Sequence, residues 1–380
     1  MRAVLAATFC IAFAVSIVLT WVARKVAPRL AFTDLPGGRK QHRGAVPLGG
    51  GFAIFLASAL PVLAAGLLSH LWRADPSLFT VPELLKEDIA AAASRLPLLL
   101  KVMAGGLAMA TLGLWDDVRS FTPPYKLLAQ FIIAGVVALV PEVRVTLFIQ
   151  VGWVQVALTA VWIVLMVNSF NLLDNMDGQS GLVAFLTGGA LLVLSLQTGQ
   201  HFIAGMLLAL LGAVLGFLLF NLPPASIFMG DMGSMYTGYM LAIATILTSF
   251  LTGRHVNPFF PVLVPLVIFA VPLYDVLSVL AIRVHKARPL LEGDRSHMSH
   301  RLMRLGMSDR MVLLTVGLMV VATSPGATIP YGSSTWRVFI PAVQAGAVVL
   351  VIILLELASA RRREPDLRRP PSQDGPADSP

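Results

Sequence analysis

Charge is what this chain has least of. Only 13% of its 380 residues are Asp, Glu, Lys or Arg, against about 25% in an ordinary soluble domain. Cysteine is nearly absent. Cys10 is the one thiol, which excludes an intramolecular disulfide and any multi-cysteine metal centre. Internal and inverted repeats are absent too, so nothing suggests a solenoid or a transporter built from repeated halves. What fills the chain instead is apolar sequence: 57% hydrophobic residues with a mean hydropathy of +0.80. It comes in runs near the roughly 20 residues that cross a bilayer as a helix. The expected fold is an all-α polytopic membrane protein.

Eleven apolar runs qualify as spans: 3–23, 46–70, 97–114, 126–141, 153–167, 182–197, 202–220, 233–252, 259–283, 311–327 and 337–358. The first ends in Arg24-Lys25 rather than a small-residue cleavage site, so it reads as a retained span. Eleven spans put the termini on opposite sides. One side then holds 20 of the 28 Lys and Arg residues. The positive-inside rule makes that side cytoplasmic, with the N-terminus outside and the C-terminus inside. Topology therefore accounts for the net charge of +8 without nucleic acid. Between spans, 73–96 reads as an interfacial helix, and alternation around Gly152-Trp153 reads as a small hairpin. Residues 1–360 form the membrane domain, and 361–380, rich in Pro and Arg, a disordered cytoplasmic tail.

The polar residues are few enough to read one by one. Asn168, Asn171, Asp174 and Asp177 recur every third position in Asn168-Ser-Phe-Asn-Leu-Leu-Asp-Asn-Met-Asp-Gly-Gln-Ser-Gly181. That spacing keeps neighbours within reach on a helix, until Gly178 and Gly181 break it. Their amides and carboxylates are oxygen donors, which favours Mg²⁺ or Mn²⁺ over zinc; a polar stripe along a transport path is the alternative. Asp116 and Asp117 end an apolar run, close to Arg119 and Lys126. Paired carboxylates there need a cation, a partner or water. Asp231 lies between Gly230 and Gly233 at the mouth of a span, after Asn221 and Phe228. Helix-start amides there suit phosphate, and Phe228 is either a base-stacking platform or a core side chain.

His297, His300 and Arg301 make a cationic segment without the third ligand that a zinc site needs. Arg39, Lys40 and His42 add cations before a glycine-rich entry to the second span. Asp275 lies within the ninth run, which marks it as functional or as the structural partner of a cation. By the span count these motifs, Asp275 aside, face the cytoplasm. Oxygen ligands, cations and glycine turns at one membrane face make a site for a metal-bridged pyrophosphate.

In combination, Leu112–Asp117, Asn168–Gly181, Phe228–Ser234 and His297–Leu302 resemble the polyprenyl-phosphate N-acetylhexosamine-1-phosphate transferases, over roughly residues 30–310. The His-Met-Ser-His-Arg-Leu segment is similar to the bacterial undecaprenyl-phosphate GlcNAc-1-phosphate branch rather than the lipid I-forming branch. Asn175 departs from the family's usual Gly after the first Asp of the turn.

The resemblance implies about eleven helices around a cytoplasmic cleft. It also implies transfer of HexNAc-1-phosphate from a UDP-sugar to polyprenyl phosphate with release of UMP. It assigns Asn171 and Asp231 to Mg²⁺ (or Mn²⁺), Phe228 and nearby Asn221 to uracil, and Lys126, His300 and Arg301 to the pyrophosphate. His297, Arg39, Lys40 and His42 join the substrate-binding set. Asp116 and Asp117 fall on the lipid phosphate or the catalytic base. Asp174, Asp177 and His300 complete the catalytic group. A homodimer is compatible with this picture, and a transporter of phosphorylated sugar or lipid is the rival class.

Overall fold

In the computed structural model, the described residues are 2–34, 44–146, 149–248, 260–289, 296–324 and 339–367. Among the described residues, thirteen α-helices carry the fold. They are α1 (Arg2–Val26), α2 (Gly50–Ala74), α3 (Glu83–Val118), α4 (Pro123–Ala138), α5 (Gly152–Leu173), α6 (Gln179–Gln197) and α7 (His201–Asn221). Then come α8 (Gly230–Leu247), α9 (Phe260–Ile268), α10 (Ala270–His285), α11 (Met298–Arg304), α12 (Asp309–Thr323) and α13 (Ile340–Leu367). The one sheet among the described residues is a pair of two-residue strands, β1 (Thr33–Asp34) and β2 (Val46–Pro47), antiparallel with Thr33 opposite Pro47.

The protein is an all-α polytopic membrane protein. Six described helices (α1, α2, α3, α5, α6 and α7) are long and apolar enough to cross a membrane, or seven spans if α9 and α10 count as one. That last pair is bent by 80° at its break. Within the described residues, each of the eleven apolar runs overlaps a helix or helix pair, but α4 and α12 have only 16 and 15 residues. The interfacial helix expected within 73–96 is instead the first part of α3, which continues through Pro97 into the apolar run. Among the described residues the hairpin expected around Gly152 is absent, because Val154–Val156 already lie in the first turns of α5. Three alternating residues lose to a 22-residue apolar helix whose backbone bonds are all internal. Helix α13 runs past residue 361, where the tail was expected to begin, as far as Leu367.

Helix α8 is the axis of the molecule. It packs on α2, α3, α5, α6 and α7, and every residue from Met232 to Thr245 is buried. Protein surrounds it, so it can carry Gly, Ser, Thr and Tyr where a lipid-facing helix needs Leu. Lipid-facing surface lies elsewhere, on exposed side chains such as Trp21, Leu67, Leu68 and Ile132.

Two glycines let neighbouring backbones meet at the start of α8. A Cβ on Gly51 would sit 2.5 Å from Gly233 N, and one on Gly113 would sit 2.6 Å from Met232 N. Small residues let membrane helices approach this closely. Gly113→Ala is therefore expected to destabilise the fold by about 1–3 kcal/mol through overpacking. Gly135→Ala, with nothing within 4 Å of its Cβ, gains helix propensity of up to about 1 kcal/mol. Thermal unfolding in detergent reads the difference; equal midpoints for the two variants would refute this packing account.

Candidate active site

The site forms where helices end. The C-termini of α3, α5 and α7 and the N-termini of α4, α6 and α8 bring their polar residues together. Its centre is Lys126, in the first turn of α4. Its ammonium is 2.7 Å from Asp116 Oδ2, donates to Asn171 Oδ1 at 3.0 Å and donates to Asp231 Oδ2. Asn171 turns its amide nitrogen the other way, donating to Asp231 Oδ1 at 2.8 Å and Ser234 Oγ at 3.0 Å. One cation and one amide thus join α3, α4, α5 and α8. Both side chains are reinforced one turn further in. There Asn168 Nδ2 donates to Gln130 Oε1 at 2.6 Å, with Gln130 fully buried.

Asp116 and Asp117 do different work. Asp116 Oδ1 accepts the Phe121 N–H at 2.6 Å and so fixes the turn between α3 and α4. Asp117 faces α8. Its two oxygens accept the backbone N–H groups of Asp231 (2.8 Å) and Met232 (3.0 Å). Helix starts leave such donors unpaired and favour negative charge. α8 has no side-chain cap of its own, and Asp117 supplies one from α3. Gly230, at φ +70, makes room: a Cβ there would lie 2.7 Å from Asp117 Oδ2.

The turn between α5 and α6 holds the other carboxylates. Asp177 Oδ2 accepts Ala225 N–H at 2.8 Å. Asn221, 3% exposed, spans from Gly178 N (3.0 Å) to Ile227 O (2.9 Å). These two residues brace the segment between α7 and α8, which carries half-buried Phe228. The backbone of Phe228 is pinned by Pro47 O at 2.9 Å and Gly50 N at 3.0 Å. Asp174 alone among the cluster's five carboxylates accepts no hydrogen bond from the described residues. Burial, then the charges of Asp231, Asp117 and Asp177, push its carboxyl well above the usual carboxylate range.

The His297–Arg301 segment forms the N-cap and first turns of α11. His297 Nδ1 lies 3.0 Å from Asp275 Oδ2. Ser299 Oγ donates to Asn175 Oδ1 at 2.5 Å, tying α11 to the turn between α5 and α6. Asn175 lies outside the left-handed region, so this turn does not require the glycine usual there. Arg301, 7% exposed, donates to Ser278 Oγ at 2.7 Å and to Ser296 O. Its guanidinium lies 5.7 Å from the Tyr274 ring centroid, so in this arrangement it grips α10. His300 is half-buried beside His297, with ring centroids 6.5 Å apart. Arg39, Lys40 and His42 lie outside the described residues.

The structure thus gathers Asp116, Asp117, Lys126, Asn171, Asp174, Asp177, Asn221 and Asp231 in one network. The residues missed by sequence reasoning are Ser234, Gln130, Ser278 and Ser299. Gln130 is four residues after Lys126, and Asn168 is three before Asn171, so helical spacing pointed to that inner layer. Among the described residues, no group of three or more His, Cys, Asp or Glu side chains is placed to hold a metal ion. The oxygens that do converge belong to Asp116, Asn171 and Asp231, and they meet at the Lys126 ammonium.

A helical membrane protein with this site belongs with the glycosyl transferases: the family model described as Glycosyl transferase family 4 matches residues 99–249, from α3 through α8. The Undecaprenyl-phosphate alpha-N-acetylglucosaminyl 1-phosphate transferase of Yersinia pestis is 30% identical over 324 residues, covering 82% of this chain and 80% of that one. The Probable undecaprenyl-phosphate N-acetylglucosaminyl 1-phosphate transferase of Bacillus subtilis (strain 168) is 27% identical, covering 86% and 85%. The Decaprenyl-phosphate N-acetylglucosaminephosphotransferase of Mycolicibacterium smegmatis is 29% identical, covering 91% and 86%. The chain belongs to the polyprenyl-phosphate N-acetylhexosamine-1-phosphate transferase family.

Folding raises the proton affinity of Asp174. As pH climbs from the ordinary carboxylate value through the raised one, the folded state loses stability. Asp174→Asn cannot ionise and escapes that loss. In metal-free detergent at about pH 8 the variant is expected to melt above the parent, by roughly 2–4 °C per kcal/mol relieved. The gap should shrink on acidification. A lower melting midpoint for the variant at every pH contradicts this electrostatic account.

Proposed function

We propose that this protein transfers GlcNAc-1-phosphate from a UDP-sugar to polyprenyl phosphate, releasing UMP and starting a lipid-linked envelope glycan. The observation that carries this reading is the Lys126 ammonium held among Asp116, Asn171 and Asp231 at the ends of apolar helices. A cation beside oxygen ligands is what the meeting of a lipid phosphate and a nucleotide diphosphate requires. The names of the three relatives agree on the sugar and on a polyprenyl-phosphate acceptor.

In the reaction, an oxygen of polyprenyl phosphate attacks the sugar-linked phosphorus of the UDP-sugar. The bond to the bridging oxygen breaks, and UMP leaves with the electron pair. A phosphate monoester has a second pKa near 6, so the attacking group is largely dianionic at neutral pH and needs little help from a base. Lys126, with His300 and Arg301 of α11, neutralises developing charge. Phe228 offers a ring for uracil. Asp174, its oxygens uncommitted, is available to take the residual proton. Both Asp117 oxygens already hold backbone N–H groups of α8. An aspartyl-phosphate there would dismantle the cap, which favours direct displacement.

The donor set fits a hard divalent cation. Asn171 and Asp231 supply oxygens that converge on one point, and substrate phosphates commonly complete a Mg²⁺ shell. These two residues would hold Mg²⁺ once Lys126 yields that point, and the bound ion would polarise the pyrophosphate. We place the protein in the bacterial cytoplasmic membrane, with the N-terminus outside and the site and C-terminus cytoplasmic. That is the orientation set by its Lys and Arg distribution.

Purified protein is expected to release UMP from UDP-GlcNAc only with both polyprenyl phosphate and Mg²⁺ present, and chelation should stop it. Asp231→Ala should lower turnover by about 10²-fold or more. Unchanged UMP release by that variant would sink the assignment of this site.

A further inference from the structure

Asp275 of α10 lies outside the network around Lys126 and is fully buried. A buried carboxylate must be compensated by donors, and both of its donors come from one short segment. Oδ1 accepts Met298 N–H at 2.6 Å, and Oδ2 lies 3.0 Å from His297 Nδ1. His297 is the N-cap of α11 and makes no side-chain cap bond itself, so Asp275 caps α11 from a neighbouring helix. Arg301 is anchored on the same face of α10, through Ser278, three residues beyond Asp275.

We propose that Asp275 is a positioning residue of the transferase site. It holds His297 with its Nδ1 proton turned inward, so that Nε2 is presented as an acceptor to a hydroxyl of the nucleotide-sugar substrate. The partner of one imidazole nitrogen fixes the ring's orientation and the role of the other. This inference rests on the transferase reading of the site and adds a specific chemical requirement to it.

That requirement follows from the two donors. An Asn at 275 offers one acceptor and one donor. The backbone N–H of Met298 cannot become an acceptor, so the Asn oxygen stays with it. The Asn nitrogen then faces His297 and demands an unprotonated Nδ1, which moves the ring proton to Nε2. Asp275→Asn therefore keeps the shape and the cap but reverses the tautomer.

The experiment measures UMP release, kcat and KM for UDP-GlcNAc, and the thermal midpoint in detergent, for Asp275→Asn, His297→Asn and the double variant. His297→Asn places an amide nitrogen near the Nδ1 position, keeping the bond to Asp275 while removing Nε2. Each single variant should lose roughly tenfold or more in kcat, with KM within about threefold of the parent. The midpoint of His297→Asn should match the parent. The double variant should turn over no more slowly than His297→Asn alone, because Asp275 acts through His297. The proposal fails if Asp275→Asn keeps turnover within twofold of the parent, if His297→Asn retains turnover, or if the two losses multiply. Should Asp275→Asn prove too unstable to assay, retained turnover in His297→Asn still refutes the proposal. A parent protein that releases no UMP from any UDP-sugar refutes the transferase reading instead.

Discussion

The site depends on one cation. Five carboxylates, Asp116, Asp117, Asp174, Asp177 and Asp231, gather in a partly dehydrated space at the ends of apolar helices. Like charges at low dielectric repel strongly. Without Lys126 the cluster would have to take up protons or open to water. Lys126 can serve because α4 begins at Pro123, which places residue 126 in its first turn with the side chain toward α3, α5 and α8. The positive end of the α4 dipole lies at the same place and adds to the neutralisation. The ammonium also holds the geometry, since its three acceptors come from three different helices.

A second device recurs around this centre. A helix start that lacks its own capping side chain borrows a carboxylate from a neighbour. Asp117 of α3 caps α8, Asp275 of α10 caps α11, and Asp177 satisfies Ala225 N–H in the segment before α8. Caps taken from within a helix stabilise that helix alone. Caps taken from a neighbour also fix the distance and rotation between two helices. In a membrane protein this matters more than usual, because lipid and helix surface are equally apolar and hydrophobicity does not set helix registry. Close glycine contacts bring the backbones together, and the borrowed caps decide at what height they stop.

Much of this fold was legible because hydrophobic runs in a membrane protein are long and their interruptions few. Within the described residues, every apolar run overlaps a helix or a bent pair. The misreadings arose where length and burial compete. An apolar run shows that a segment avoids water, but not whether lipid or protein surrounds it. α8 is sheathed by five helices, so it needs neither the length nor the hydropathy of a lipid-facing span. The segment before Pro97 looked interfacial because its charges suggested a separate helix. A proline sits inside a helix when the freed carbonyl finds other partners, and here α3 runs straight through it.

The site was legible at the level of chemical type but not of partnership. Oxygen donors and cations at one set of helix ends follow from spacing, so the gathering of Asp116, Lys126, Asn171 and Asp231 could be anticipated. Which oxygen meets which proton could not. Asp116 and Asp117 are adjacent in sequence, yet a helix turns about 100° per residue. One therefore faces the α4 lysine, and the other faces the backbone of α8. Asn221 and Phe228 are seven residues apart. Asn221 is spent on Gly178 and Ile227, and the backbone of Phe228 is pinned by Pro47 and Gly50. Asn175 breaks the family's pattern, and its reason appears only in three dimensions, where its side-chain oxygen receives Ser299 from α11. A glycine there would satisfy the turn equally well but remove this tie between the α5–α6 turn and the helix bearing His300 and Arg301. The departure at 175 is thus a tie between two parts of the site, and it is carried by a residue 124 positions away from its partner.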